Sequence, residues 1–270
     1  MKTKKKIVDT TLRDGEQCPG IVFGTEDKIR LGLLLDELGV YEIEAGCVDV
    51  HSSDMQYIDK LMGQKKNAKV SLWSRMRQED VETACLLQPD LIHIGVPVSY
   101  VQIYSKLNKN KVWVQREIKS CLEIANNYSM PVTVGLEDAT RADIGFILSL
   151  VRQLYSMGVK TVRIADTVGT VTPERGAQII KEIHNAIEEL TIEIHEHNDL
   201  GMAIANSILM AKAGGEMIDC TLLGLGERVG NCNLYDFVRA TETIFDCGVD
   251  KKKIQGVEQE LIDILQRGVG

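Results

Sequence analysis

His195 and His197 flank Glu196 in the run His195-Glu196-His197-Asn198-Asp199. If that run ends a β-strand, residues i and i+2 share a face, with Cα atoms roughly 6.5 Å apart. Two imidazoles at that spacing can grip one cation. The plainer alternative is a pair of hydrogen-bonded barrel histidines, with Asp199 capping a helix that starts at Leu200. A bare His-x-His does not decide between these readings, but a place at a strand end favours the cation. A hard oxygen ligand is available in Asp9-Thr10-Thr11-Leu12-Arg13-Asp14-Gly15-Glu16-Gln17. There Asp14 supplies a carboxylate and Arg13 a forked donor for a carboxylate or a developing oxyanion. Neighbouring strand residues point to opposite faces, so Arg13 and Asp14 reach one centre only if the strand has ended before them. Gly15 supplies the turning freedom. The competing reading is a surface Arg–Asp pair of little energetic worth.

Other polar residues fall at comparable places. Glu42 and Glu44 alternate around Ile43; with Ile43 facing outward, both carboxylates point inward, where burial without partners is costly. Glu137-Asp138 and Asp166-Thr167 each close an apolar run, and Gly224-Leu225-Gly226-Glu227-Arg228-Val229-Gly230-Asn231 follows another. The glycines of that loop permit close approach to a ligand, and Asn231 offers an amide oxygen near the cation. His93 either lines the same pocket or is a satisfied core histidine. His51 and His184 read as solvent-side or helix residues.

These residues need elements to position them. Short apolar runs occur at Ile7–Leu12, Tyr41–Ala45, Lys69–Trp73, Leu91–Val96, Pro131–Leu136, Thr161–Ala165, Thr191–His197 and Met217–Leu222. Amphipathic stretches lie between them, including Thr25–Leu38, Gln78–Leu87, Lys111–Tyr128, Ala142–Met157, Pro173–Glu188 and Leu200–Ala213. Gly39, Gly158 and Gly214 sit just past helices, and Pro173 sits at a helix start. Eight strands, each followed by a helix, predict a TIM (β/α)₈ barrel, in which chemistry gathers at the C-terminal ends of the strands. An open doubly wound sheet usually has fewer strands and a Gly-rich first turn. No linker or low-complexity tract interrupts the pattern, so residues 1–270 are expected to form a single catalytic barrel domain.

The 270 residues are 44% hydrophobic, with a formal net charge of −8. A mildly acidic balance argues against a broad nucleic-acid footprint. No run approaches the roughly 20 apolar residues of a membrane span, and the basic start Lys2-Lys4-Lys5-Lys6 lacks the apolar stretch of a signal peptide. Seven scattered cysteines without a Cys-x-x-Cys pair read as free thiols, most of them small buried hydrophobes, in a reducing cytoplasm.

Five motifs stand here in the order found in the metal-dependent acyl-CoA Claisen-condensing enzymes. They are Thr10–Gln17, Glu137-Asp138-Ala139-Thr140-Arg141, Ala165-Asp166-Thr167-Val168-Gly169, His195–Gly201 and Gly224–Asn231. The chain resembles this family over essentially the whole barrel. The family contains the homocitrate, 2-isopropylmalate and citramalate synthases, with hydroxymethylglutaryl-CoA lyase as a cousin. Trp73-Ser74-Arg75, Ile94–Ser99 and Val134–Asp138 look most like the nitrogen-fixation type of homocitrate synthase. The resemblance implies a divalent metal (Mg, Mn or Zn) held by Asp14, His195 and His197, with Asn231 nearby. It implies catalytic roles for Arg13, Glu137 and Thr167, and substrate positioning by Gln17, Glu44 and His93. The substrates implied are acetyl-CoA and a 2-oxo acid, 2-oxoglutarate foremost.

The chain also departs from that family. Lysine-pathway homocitrate synthases place an arginine on strand five for the distal carboxylate of 2-oxoglutarate; the corresponding place here is Thr133. The synthases continue into a C-terminal lid, whose His and Tyr complete catalysis, often across a dimer, whereas this sequence stops after the helix Val257–Leu265. The favoured expectation is the barrel subunit of a split synthase, acting in a homo- or hetero-oligomer with a lid-bearing subunit. A stand-alone hydroxyacyl-CoA lyase or aldolase is the alternative, although the Gly-Gly-Cys-Pro loop of the lyases is absent; a 2-isopropylmalate or citramalate synthase-like enzyme is another. A purely structural role is disfavoured by the intact Arg13, Asp14, His195 and His197.

Overall fold

A computed structural model describes residues 2–48 and 55–267; His51 lies outside the described residues. Eight parallel strands close into a barrel: β1 (Lys6–Asp9), β2 (Glu42–Val48), β3 (Lys69–Arg75), β4 (Leu91–Pro97), β5 (Val132–Glu137), β6 (Thr161–Asp166), β7 (Thr191–Glu196) and β8 (Met217–Cys220). β8 pairs with β1 from Lys6↔Met217 to Asp9↔Cys220, which completes the ring. The helices are α1 (Thr25–Leu38), α2 (Gln56–Gln64), α3 (Gln78–Leu86), α4 (Lys111–Asn127), α5 (Ile144–Ser156), α6 (Pro173–Ala186), α7 (Ala203–Lys212), α8 (Leu234–Thr241) and α9 (Lys251–Arg267). The expected TIM barrel is the observed fold. A short parallel pair, Thr3–Lys4 with Phe245–Asp246, lies outside it. No helix among the described residues is long and apolar enough to cross a membrane.

Alternation along the strands separates two environments. Ile43, Val70, Leu72, Ile92, Ile94, Val134, Val162, Ile164, Ile192, Ile194 and Ile218 belong to the hydrophobic core shared with the helices. The intervening residues Glu42, Glu44, Ser71, His93, Thr133, Arg163, Glu193, His195 and Asp219 are also buried. An ion pair between Arg163 on β6 and Glu44 on β2 joins strands that are not neighbours, so these side chains meet across the barrel interior. Barrel interiors are usually filled by branched apolar layers; this one is filled largely by charge.

Of the boundaries that differ from the sequence expectation, three matter to the site. β1 ends at Asp9, not at Leu12, because Thr10 O accepts from Arg13 N (3.2 Å), Asp14 N (2.8 Å) and Gly15 N (3.1 Å). That tight turn meets the condition for Arg13 and Asp14 to face one centre. β7 ends at Glu196, and His197 forms an isolated bridge with Asn231. The helix expected from Leu200 begins at Ala203, whose N–H is accepted by Asn198 Oδ1 at 3.1 Å. Asp199 is instead committed to Arg228, so it caps no helix. Among the described cysteines Cys85, Cys121, Cys220 and Cys232 are buried, Cys18 and Cys247 half-buried and Cys47 exposed. His184 is half-buried on α6.

Two strand glycines make room for large rings. A Cβ at Gly95 would fall 2.4 Å from Trp73 Cζ2, and one at Gly135 would fall 2.3 Å from His93 Nε2. Gly95→Ala is expected to lower the unfolding free energy by about 1–3 kcal/mol and to shift Trp73 fluorescence. Denaturant melts superimposable on the unaltered chain would refute this packing.

Candidate active site

Asp14 Oδ2, His195 Nε2 and His197 Nε2 converge at the C-terminal mouth of the barrel. His195 Nε2 lies 3.3 Å from Asp14 Oδ2 and 3.3 Å from His197 Nε2, and His197 Nε2 lies 4.0 Å from Asp14 Oδ2. All three residues are buried, and one ligand atom from each falls within 4.8 Å of the others. One proton on His195 Nε2 cannot serve both neighbours well, whereas a single cation among them satisfies all three lone pairs. The other ring nitrogen of His195 lies 3.0 Å from Asp219 Oδ2. This carboxylate–histidine arrangement fixes ring orientation in metal sites. His197 Nδ1 and Asn231 Oδ1 are buried without partners. Asn231 Nδ2 donates to Asp14 Oδ1 (3.0 Å) and Leu225 O (2.9 Å). The donor set of two imidazoles and a carboxylate fits a divalent cation.

The electrostatics agree. Burial alone would push the Asp14 carboxyl up, but Arg13, then His195, hold it well below the usual range. Burial lowers His195, yet its bonds to Asp14 and Asp219 outweigh that and push it up to about 9. Burial and the neighbouring His195 charge bring His197 down to about 3. Near neutral pH the two imidazoles therefore carry one positive charge, on His195, with His197 neutral.

Arg13 joins this cluster to the strands beneath. Its Nη1 donates to Asp14 Oδ2 at 2.8 Å and its Nε to Glu44 Oε1 at 2.5 Å, while its guanidinium carbon sits 5.9 Å from the Trp73 ring centroid. Glu44 Oε2 accepts from Arg163 Nη2 at 2.7 Å, and Arg163 Nε lies 2.9 Å from Asp219 Oδ2. The path returns through Asp219 to His195 and so to Asp14. Six groups thus form a closed ring of alternating charge, Asp14–Arg13–Glu44–Arg163–Asp219–His195. Burial would raise the Glu44 carboxyl, but Arg13 and Arg163 hold it well below the usual range. Glu193 Oε1 also accepts from Arg163 Nε at 2.8 Å, and burial pushes its carboxyl well up.

A cavity of about 780 Å³ opens above this floor. Arg13, Asp14, Gln17, Glu137, Thr167, Arg163, His195 and His197 line it. Thr167 Oγ1 donates to Glu137 Oε2 at 3.2 Å and accepts from Asp138 N at 2.8 Å. The structure thereby brings together Arg13, Glu137, Thr167 and Gln17 with the three clustered ligands. It places Glu44, His93 and Thr133 lower, outside the cavity lining. Glu44 grips Arg13 from below, and His93 Nδ1 lies 2.8 Å from Thr133 Oγ1. Burial and the Arg163 charge keep His93 well below its ordinary value, hence neutral. Arg228 pins the Gly-rich loop by bonding Asp199 and Thr167 O.

Sequence reasoning missed Arg163 and Asp219, which organise Glu44 and His195. The available signal was a charged residue at an inward position in mid-strand, the same signal that singled out Glu44.

Comparison with known proteins fits this geometry. The family described as HMGL-like matches residues 4–261. The homocitrate synthase subunit alpha of Clostridium pasteurianum is 41% identical over 88% of this chain and 88% of its own length. The 2-isopropylmalate synthase 2 of Caldanaerobacter subterraneus subsp. tengcongensis is 34% identical over 94% of this chain. The chain spans only 66% of that synthase. The HMG-CoA lyase structure from Brucella melitensis superposes with a TM-score of 0.84 at 20% identity, covering 98% of this chain and 99% of the lyase.

Protonation gives a test. In the metal-free chain the folded His195 value of about 9 exceeds the unfolded value near 6.5. Its stabilising contribution is therefore full below about pH 6.5 and is lost as pH rises through about 9. Denaturant unfolding of the metal-free chain between those limits should show this loss, and His195→Gln should remove it. An identical pH slope in the variant would contradict the assignment.

Proposed function

The chain belongs to the HMGL-like family, and from that premise we propose that it is the barrel subunit of a homocitrate synthase-like acyltransferase. In this reading acetyl-CoA condenses with a 2-oxo acid, 2-oxoglutarate foremost, at a divalent metal. The metal is held by Asp14, His195 and His197, with Asn231 beside them. One observation carries it: Asp14 Oδ2 is shared between Arg13 and the two imidazoles, so a cation and a guanidinium address the same corner of the cavity.

The metal, when bound, supplies Lewis-acid polarisation of the ketone. Arg13 faces the same corner, held by Asp14 and Glu44, and its N–H groups donate to the alkoxide that develops as the acetyl methyl carbon bonds to the ketone carbon. Such preorganised donors act where charge develops. Thr167 directs its hydroxyl proton to Glu137 Oε2, which fixes the Glu137 carboxyl at the cavity wall as a polar partner for substrate. Gln17 lies at the rim, and Glu44, His93 and Thr133 support the wall from beneath. Water then cleaves the thioester, releasing the CoA thiol. We assign removal of the methyl proton to a lid-bearing partner. The match to a subunit-type relative over most of its length supports this, as does the partial coverage of a longer synthase.

Two measurements test the proposal. The purified chain with Mg²⁺, Mn²⁺ or Zn²⁺ should release CoA thiol from acetyl-CoA and 2-oxoglutarate only when the lid-bearing partner is added. Release that never depends on a partner would sink the split-subunit reading, and cleavage of hydroxyacyl-CoA esters by the lone chain would replace it with a lyase. In the complete assembly at saturating metal Arg13→Lys should lower kcat by about 10²-fold or more. An unaffected rate would remove Arg13 from the mechanism.

A further inference from the structure

Arg163 is buried at 1% exposure in the floor of the cavity, separated from Arg13 by Glu44 and from the candidate metal by Asp219 and His195. It is the one member of the ring that touches both supporting carboxylates. Its Nη2 reaches Glu44 Oε2 at 2.7 Å, and Glu44 holds Arg13 Nε. Its Nε–H donates to Glu193 Oε1 at 2.8 Å, and the same nitrogen lies in ion-pair contact with Asp219 Oδ2 at 2.9 Å, the oxygen that holds His195 Nδ1 at 3.0 Å. Any movement of the guanidinium toward one carboxylate lengthens its contact with the other. The planar fork is fixed by its bonds to Glu44 and Glu193, and its charge lies against Asp219, so the Glu44 and Asp219 carboxylates are held around one cation.

We propose that Arg163 is a positioning residue that couples the metal ligand His195 to the oxyanion-binding Arg13 by serving as the shared counter-ion of Asp219 and Glu44. It makes no bond to substrate or metal. It sets the orientation of the His195 ring through Asp219 and the reach of Arg13 through Glu44, so the two halves of the site tighten or loosen together. This inference rests on the metal reading of Asp14, His195 and His197, and extends it to a residue outside that set. Lysine keeps the charge but concentrates it at one point on a flexible stem, so Arg163→Lys retains one arm at most.

The test uses Co²⁺ binding, followed by its visible absorption, and Trp73 emission in a Trp113→Phe background, because Arg13 lies over the Trp73 ring. Arg163→Lys should fold, weaken Co²⁺ binding about 10- to 100-fold, as loss of a residue supporting a ligand does, and alter Trp73 emission of the metal-free chain. A variant that only melts earlier, with Co²⁺ affinity and emission unchanged, would show a merely structural arginine and overturn the inference. A change in only one readout would overturn the coupling. If Arg163→Lys does not fold, Glu44→Gln, Asp219→Asn and the double variant decide the matter. Non-additive effects on Co²⁺ affinity support the coupling, and additive ones refute it. An unaltered chain that takes up no Co²⁺ overturns the metal reading and this inference with it. An unaltered chain that binds Co²⁺ as its Arg163→Lys variant does overturns this inference alone.

Discussion

Of the carboxylates buried in the barrel, Asp14, Glu44 and Asp219 share it with two guanidiniums in a ring where opposite charges alternate. A buried ion with no partner costs several kcal/mol, so each group depends on the two beside it. Asp14, Glu44 and Asp219 are separated by Arg13, Arg163 and His195. The sixth place is His195, whose Nδ1 faces Asp219 and whose Nε2 faces Asp14 and His197.

The fold supplies that ring by topology. Adjacent strands place neighbours side by side, but Arg163 and Glu44 come from β6 and β2, so only closure of the sheet brings them together. The outward faces of the same strands are Ile and Val against the helices, and they anchor the strands that carry charge inward. Loops then finish the mouth. The turn on Thr10 O aims Arg13 and Asp14 at one point, and Asn231 on the pinned Gly-rich loop holds the second oxygen of Asp14.

Much of this was legible in the sequence. Eight apolar runs with helical punctuation identified the barrel, and His195, His197 and Asp14 were found because metal-ligating residue types stood at strand ends. Boundaries were less legible, because the early end of β1 is set by hydrogen bonds to Thr10 O that no propensity announces. Asp199 looked like a helix cap because it precedes Leu200, yet a distant arginine, Arg228, claims it. Arg163 and Asp219 were missed for a similar reason. A charged residue in mid-strand takes its meaning from a partner on another strand, more than 100 positions away between Arg163 and Glu44, and one sequence does not pair them. Thr133 and His93 were identified as site residues, and the structure gives them each other as partners beneath the cavity.

The central claim is that Asp14, His195 and His197 hold the metal in a site fixed from below by Asp219. X-ray absorption at the zinc edge of the Zn²⁺-loaded chain tests it most directly. The account predicts two imidazole nitrogens and carboxylate oxygen at about 2.0–2.2 Å, with one imidazole contribution lost in His197→Ala. A spectrum without imidazole scattering, or one unchanged by that substitution, would contradict it.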